Sequence, residues 1–275
     1  MQHTEFNWNN AQSIDIYAQK WEVEQPKAMV LMVHGMGEHS TRYKHMAEFF
    51  AANNIGMFTY DHVGHGKSDG KRGHVGQYEF LLDDIDTMLA KMKAAYPDIP
   101  HLVYGHSMGG NLVLNYGIRR KPAVNGLIVS GPWLKLAIKV PGFRLKLAKM
   151  MNSIYPKYTE KTALNGHGVT RDKECAEAYN NDPLVHGEIS TRFFFGIHSA
   201  GLWAIENAAK LQLPTLLMHG DDDQITLFDA SKEFAQNAKD NVQFKPYPKL
   251  YHELHNEPEK VEVLKDILAW IDGKI

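Results

Sequence analysis

The sequence has little cysteine, no long apolar run and little net charge, and each shortage excludes a class of protein. A single cysteine, Cys175, excludes an internal disulfide framework and favours a reducing compartment. A formal net charge of −2 without a basic stripe argues against a nucleic-acid partner. No apolar run approaches the ~18 residues that span a bilayer, and the polar first ten residues do not resemble a secretory signal. These features predict a cytoplasmic protein.

What the sequence does have is a regular alternation of strand-like and helix-like segments. Apolar runs typical of strands buried on both faces recur at residues 28–33, 55–60, 101–106, 126–130, 213–219 and 242–247. Helical patterns separate these runs, which predicts a parallel, doubly wound α/β sheet. Alternating polar and apolar residues at 6–8 and 14–17 predict an added hairpin of two edge strands.

The alternation breaks between residues 132 and 200, where no buried strand is predicted. We therefore divide the chain into a core, residues 1–131 and 201–275, and a helical cap, residues 132–200. One helical face of the cap carries the apolar residues Phe143, Leu147, Met150, Met151 and Ile154. Lysines flank this face, so the helix fits either packing on the core or contact with a lipid surface.

The segment Gly105-His106-Ser107-Met108-Gly109 lies between an apolar strand and a helical pattern. In this setting Gly-x-Ser-x-Gly forms the nucleophile elbow of a hydrolase. The two glycines leave room for a tight turn that lifts the serine hydroxyl above the sheet. The N-terminus of the following helix faces the negative charge that develops during attack. Ser107 is therefore the candidate nucleophile.

A serine nucleophile needs a base and an acid, which in this fold follow in the order Ser, Asp or Glu, His. The loop after residues 213–219 carries three aspartates at 221–223, and the loop after 242–247 carries His252 and His255. Both loops follow parallel strands, at the carboxyl edge where such sheets place ligands. This pattern does not choose among the three aspartates or between the two histidines.

Neither loop matches a metal site. The histidines of His252-Glu253-Leu254-His255 are not four apart, as a zinc protease requires, and residues 221–223 lack the spaced ligands of an EF-hand. We therefore expect no metal and no cofactor.

An oxyanion hole needs two backbone N–H groups. Met108, directly after the candidate nucleophile, supplies one of them. Met36 supplies the other, because it lies in the glycine-rich loop His34-Gly35-Met36-Gly37 after the third predicted strand.

The motifs together resemble those of the monoacylglycerol lipases, in family order across nearly the whole chain. They lie at residues 34–43, 61–68, 105–110, 179–184 and 251–255. The resemblance implies an α/β-hydrolase fold with Asp223 as the acid and His252 as the base. It also implies that the polar end of the pocket, which receives the glycerol headgroup or its water, is lined by Glu38, Arg42, His106, Tyr179 and His255.

These observations predict a serine hydrolase that cleaves the carboxylic ester of a lipid, above all a monoacylglycerol. Leu147 and Met151 are expected to contact the acyl chain, and the cap to touch a membrane surface transiently. A lysophospholipase or a general carboxylesterase would use the same triad, but Glu38 is a poor neighbour for a phosphate. An inert binding protein on this fold would not need a complete triad. The chain departs most from the family at residues 132–170, so acyl-chain preference does not carry over.

Overall fold

The computed structural model describes residues 1–138, 142–162 and 164–275, except for the side chains of residues 142–147. In these residues the strands are β1 (Gln2–Asn9), β2 (Asp15–Glu22), β3 (Ala28–Val33), β4 (Ile55–Tyr60), β5 (His101–His106), β6 (Gly126–Ser130), β7 (Thr159–Lys161), β8 (Glu188–Ser190), β9 (Thr215–Gly220) and β10 (Val242–Tyr247). The α-helices are α1 (Lys44–Ala52), α2 (Tyr78–Ala95), α3 (Met108–Arg119), α4 (Gly142–Ile154), α5 (Gly166–Val169), α6 (Lys173–Asn181), α7 (Thr191–Asn207), α8 (Phe228–Ala238) and α9 (Lys260–Asp272).

The main sheet has the strand order β1-β2-β4-β3-β5-β6-β9-β10. Pairing is parallel from β4 to β10, and antiparallel between β1, β2 and β4. This confirms the predicted α/β-hydrolase fold and the N-terminal hairpin. One detail of that prediction is wrong: β2 is not an edge strand, because its Ala18 pairs with Tyr60 of β4.

The sheet separates two apolar cores, and β3 supplies both. Met29, Leu31 and Val33 face the core covered by α2, α3, α7 and α8. Val30 and Met32 face the opposite core, covered by α1 and α9. All of these side chains are fully buried, which explains why the strand appears in the sequence as a continuous apolar run.

The cap residues lie beyond β6 and include α4, α5 and α6 and a small antiparallel sheet of β7 and β8. Helix α7 runs through residue 200, where we placed the boundary between cap and core. Its carbonyls at Ile197 and Ala200 accept hydrogen bonds from Asn111 and Asn115 of α3, at 3.0 and 3.1 Å. One continuous helix therefore connects the cap to the core, and the division at residue 200 stays a prediction.

Helix α4 carries the apolar face predicted for the cap. The side chains of Phe143 and Leu147 lie outside the described residues. Met151 is half-buried, whereas Met150 and Ile154 are 51% and 71% exposed. Among the described helices, none combines the length and the apolar character needed to cross a membrane.

Candidate active site

Strand β5 ends at a sharp turn that holds Ser107 in an unusual backbone conformation. Its φ of 55° and ψ of −115° place a non-glycine residue in a region that L-residues rarely adopt. The surroundings fix this conformation, because the Ser107 N–H donates to Ser130 O and the Trp133 N–H donates to Ser107 O, both at 2.9 Å.

The two glycines of the motif are required by close packing of backbone on backbone. A Cβ atom on Gly105 would lie 2.3 Å from the carbonyl oxygen of Gly109. A Cβ atom on Gly109 would lie 2.0 Å from the carbonyl oxygen of Val33 in β3. Helix α3 can therefore approach the sheet closely enough for its N-terminus to meet the loop that follows β3.

Asp223 and His252 come together from the loops after β9 and β10. Nδ1 of His252 donates to Oδ2 of Asp223 at 2.7 Å, and both side chains are buried. Asp221 and Asp222 are exposed, and the Asp221 carboxylate accepts the backbone N–H of Lys249 instead. The geometry thus distinguishes Asp223 from the two aspartates that the sequence pattern left open.

The Asp223 carboxylate accepts four further hydrogen bonds. Oδ1 accepts the backbone N–H groups of Ile225 and Thr226 at 2.8 and 3.0 Å. Oδ2 accepts the Thr226 hydroxyl at 2.8 Å and Nε2 of His219 at 3.0 Å. Thr226 and His219 are not among the site residues predicted from the sequence. A polar residue near the end of the apolar strand β9 is the signal that could have revealed His219.

The environment favours an ionised acid beside a basic imidazole. Burial opposes ionisation of Asp223, but His252 and the hydrogen bonds from His219 and His252 outweigh it and hold the pKa of Asp223 well below its usual range. Burial would lower the pKa of His252, but the Asp223 carboxylate outweighs burial and raises it. His252 is therefore a stronger base than a free imidazole.

The loop after β3 carries Met36, whose backbone N–H we predict for the oxyanion hole. Met36 in this loop lines the same cavity as Ser107, and Met108 is the first residue of α3, whose N–H has no acceptor within the helix. The loop is braced on both sides. Glu38 accepts the Gly35 N–H at 2.7 Å, and the Gly37 carbonyl accepts the N–H of His186 from the cap at 2.8 Å.

A buried ion-pair network lies behind this loop. Arg42 donates to Glu38 at 2.6 Å and to both carboxylate oxygens of Glu253 at 2.7 Å. The Tyr43 hydroxyl also donates to Glu38 at 2.7 Å, and the Tyr179 ring stacks on the Arg42 guanidinium. Glu253 is not among the site residues predicted from the sequence, because in the motif it lies between His252 and His255 without a role of its own.

The two carboxylates of this network differ in character. Burial raises the pKa of Glu38 above its usual range, and the Arg42 charge only partly compensates. Burial acts on Glu253 as well, but its bidentate contact with Arg42 outweighs burial and lowers its pKa. Glu253 is therefore the ionised partner of Arg42, and Glu38 holds its proton more readily.

His106 and His255 lie beside His252 as buried neutral rings. The centre of the His106 ring is 4.7 Å from that of His252 and 4.8 Å from that of His255. Burial lowers the pKa of His255 to about 3 and that of His106 well below its usual range. Among the described residues, Nδ1 of His106 and both ring nitrogens of His255 find no hydrogen-bond partner.

One cavity of about 120 Å³ joins these groups to the cap. The predicted site residues that line it are Met36, Glu38, His106, Ser107, Tyr179 and His252. Met108, Arg42, His255, Asp223 and Met151 lie outside its lining. Its apolar wall includes Trp133, Leu136, Leu164, Val169, Ile189 and Phe194, which sequence analysis did not single out because they follow no common period. Within the described part of the chain, no cluster of three or more His, Cys, Asp or Glu side chains is arranged to hold a metal ion.

Comparison with known proteins places the chain among serine hydrolases. The Hydrolase_4 family model, described as serine aminopeptidase, S33, matches residues 24–259. A monoacylglycerol lipase of Mycolicibacterium smegmatis is 34% identical over 248 residues, which cover 90% of this chain and 88% of that protein. An uncharacterised abhydrolase domain-containing protein of Dictyostelium discoideum is 37% identical over 91% of this chain, which spans 27% of that longer protein. The crystal structure of Paleococcus ferrophilus monoacylglycerol lipase matches with a TM-score of 0.87 at 29% identity, covering 94% of this chain and 99% of that one.

Proposed function

Because the chain belongs to the Hydrolase_4 family and is a carboxylic ester hydrolase, we propose that it cleaves monoacylglycerols to free fatty acid and glycerol. The observation that carries this proposal is the single cavity that presents Ser107 and His252 between an apolar wall and a polar end. A monoacylglycerol has this division, since its acyl chain is apolar and its glycerol carries two free hydroxyls. The similar monoacylglycerol lipases support the same substrate class.

In the proposed reaction, the Ser107 oxygen attacks the ester carbonyl carbon while Nε2 of His252 accepts the hydroxyl proton. Asp223 fixes the tautomer of His252 and stabilises the imidazolium. The backbone N–H groups of Met36 and Met108 stabilise the oxyanion. His252 then donates its proton to the departing glycerol oxygen. A water molecule activated by His252 attacks the acyl-enzyme, which releases the fatty acid and restores the serine.

The polar end separates into a bracing part and a binding part. Glu38 already accepts hydrogen bonds from Gly35, Arg42 and Tyr43, so its main role is to hold the oxyanion loop. Tyr179 and His106 line the cavity and are the groups we assign to the glycerol hydroxyls. Arg42 and His255 support them from outside the cavity lining.

The charge of this end also bears on the alternative substrates. The Arg42 guanidinium is already engaged by Glu38 and Glu253, so it is not available to pair with the anionic phosphate of a lysophospholipid. A simple carboxylic ester lacks the hydroxyls that the polar end would bind. We therefore place lysophospholipids and simple esters below monoacylglycerols as substrates.

We further propose that the cap meets a lipid surface while substrate enters. Large apolar side chains of the cap are exposed: Ile138, Met150, Ile154 and Tyr155. Ile138 also lines the cavity, so one of these exposed residues belongs to the proposed acyl-chain wall. Exposed Lys149 and Lys157 lie in the same segment and suit an anionic surface.

The test measures glycerol release from a monoacylglycerol and compares it with hydrolysis of a lysophosphatidylcholine and a p-nitrophenyl ester. We expect the highest kcat/KM on monoacylglycerol and labelling of wild type, but not of Ser107→Ala, by a fluorophosphonate. A preference for the lysophospholipid would contradict the substrate class. Absence of labelling in the wild type would favour an inert binding protein.

A further inference from the structure

A second histidine contacts the same oxygen of the Asp223 carboxylate as His252 does. Nε2 of His219, in β9, lies 3.0 Å from Oδ2 of Asp223, the same oxygen that accepts the His252 proton donor at 2.7 Å. At the other edge of the ring, Nδ1 of His219 lies 2.8 Å from the hydroxyl of Ser231 in α8. His219 and Ser231 are both fully buried. The contacts thus run from helix α8 through His219 to Asp223.

These contacts determine which nitrogen of His219 carries a proton. An ionised carboxylate can only accept, so Nε2 of His219 donates to Asp223. With a single proton on the ring, Nδ1 accepts the proton of the Ser231 hydroxyl. The other groups that face the ring are the uncharged hydroxyl and carbonyl of Thr226 and the ring of Phe228. A second buried cation would have to share one carboxylate with His252, which burial disfavours.

Because His219 and His252 share Oδ2 of Asp223, a change at His219 alters the negative charge that this oxygen presents to His252. A second donor to this oxygen disperses its negative charge and weakens its attraction for a protonated His252. Without that donor the carboxylate would stabilise the imidazolium more strongly and would lose one of its fixed contacts.

We propose that His219, oriented by Ser231, is a positioning residue that holds Asp223 and limits how tightly His252 retains its proton. The inference rests on the proposed function, in which His252 is the base. It requires His219 to act as a neutral donor and acceptor rather than as a cation. Glutamine offers a neutral donor and acceptor as well, whereas leucine offers neither.

The experiment compares the pH profile of kcat/KM on a soluble p-nitrophenyl ester among wild type, His219→Gln, His219→Leu and Ser231→Ala. For His219→Leu we expect about a tenfold loss, the effect of one hydrogen bond to a charged group, and an acidic limb moved to higher pH. His219→Gln should keep most of the wild-type kcat/KM, and its acidic limb should lie at the wild-type pH. Ser231→Ala should move the limb in the same direction as His219→Leu, but less.

A matched control is His101→Gln, which changes a buried histidine at the start of β5 and should leave the profile unchanged. The charged and titratable groups that face His252 are Asp223, Glu253, Glu38, His106 and His255. The variants leave these five residues in place, so a moved limb reports a changed Asp223 carboxylate.

A limb that stays at its wild-type position in His219→Leu would overturn the proposal. An acidic limb that moves to higher pH by the same amount in His219→Gln and His219→Leu would also overturn it, because an equal shift is the result of losing a cation at residue 219. If His219→Leu does not fold, an unmoved limb in Ser231→Ala is the contradicting result. The inference needs only the part of the proposed function in which His252 activates Ser107, and failure of that part is distinguishable, since the wild type would then resist the fluorophosphonate.

Discussion

The guanidinium of Arg42 lies on the face of the Tyr179 ring, 4.7 Å from its centre. Arg42 lies in the predicted core and pairs with Glu38 and Glu253, whereas Tyr179 lies in helix α6 of the predicted cap. The stacking therefore fixes the position of a cap residue relative to the polar end of the cavity. The hydroxyl of Tyr179, unlike its ring, remains free to serve the substrate in our proposal.

Tyr179→Phe separates these two roles, because it keeps the stacked ring and removes the hydroxyl. We expect kcat/KM on a monoacylglycerol to fall by a factor that corresponds to about 1–2 kcal/mol of lost transition-state stabilisation. This is the cost of one lost hydrogen bond. The methyl ester of the same fatty acid should be nearly unaffected. Steady-state kinetics on both esters measure the difference, and equal behaviour of wild type and variant on both would remove Tyr179 from the headgroup site.

The proposed triad predicts strongly non-additive losses. Ser107→Ala and His252→Ala should each lower kcat by about 10⁴-fold or more, and the double variant should be little worse, because the residues act as a unit. Asp223→Asn should also be severe. Exposed Asp221 and Asp222 provide matched controls, since Asn at either position should have a mild effect. A severe loss in Asp221→Asn would show that the acid is misassigned.

The exposed apolar residues of α4 predict a dependence on the physical state of the substrate. Met150→Ser with Ile154→Ser should lower activity on a monoacylglycerol held in anionic vesicles, because less apolar surface is available to enter the lipid. Hydrolysis of a soluble short-chain ester should change little. Val261→Ser, which alters a 52% exposed residue of α9 outside the cap, is the control for altered surface polarity. Equal losses on both substrates would mean that α4 has only a structural role.

Because the Asp84 carboxyl is buried, we expect the free energy of unfolding to depend on pH in a way that is independent of catalysis. Burial raises its pKa from 3.8 to about 7, and Asn10 is a distant hydrogen-bond donor at 3.5 Å. An acid that binds its proton more tightly when folded stabilises the protein fully below its unfolded pKa, and this contribution is lost as the pH rises toward 7. Between the unfolded and folded pKa values, the free energy of unfolding falls by about 4 kcal/mol at most.

Thermal unfolding between pH 4 and pH 8 tests this expectation. Asp84→Asn should lack that part of the pH dependence and should be more stable than wild type at pH 8. Asp83→Asn is the control, because Asp83 is partly exposed and pairs with Arg120 at 2.8 Å. Parallel stability curves for wild type and Asp84→Asn would contradict a neutral buried carboxyl.

Much of the fold could be predicted because its signals are local. The β3 segment is buried on both faces and therefore appears as an unbroken apolar run, and the Gly105 and Gly109 spacing reflects backbone contacts near Ser107. The strand at 213–219 begins only at Thr215, because Pro214 cannot donate a ladder hydrogen bond.

Less of the candidate site could be predicted from the sequence, because its contacts join residues that are far apart along the chain. Family resemblance, not spacing, singled out Asp223 from its neighbours. His219, Thr226 and Glu253 gained their importance only when β9 and β10 were placed side by side. The apolar wall of the cavity comes from several cap segments with no shared period, so no sequence window could have assembled it.

The continuity of α7 sets a condition on engineering this protein. A chimera that takes its cap from a relative and rejoins the core at residue 200 would cut a helix in the middle. A Cβ atom on Gly201 would lie 2.4 Å from the carbonyl oxygen of Leu134, so glycine has to stay at this position whichever parent supplies it. Exchanging the segment through Asn207, where the helix ends, transfers these contacts as one unit.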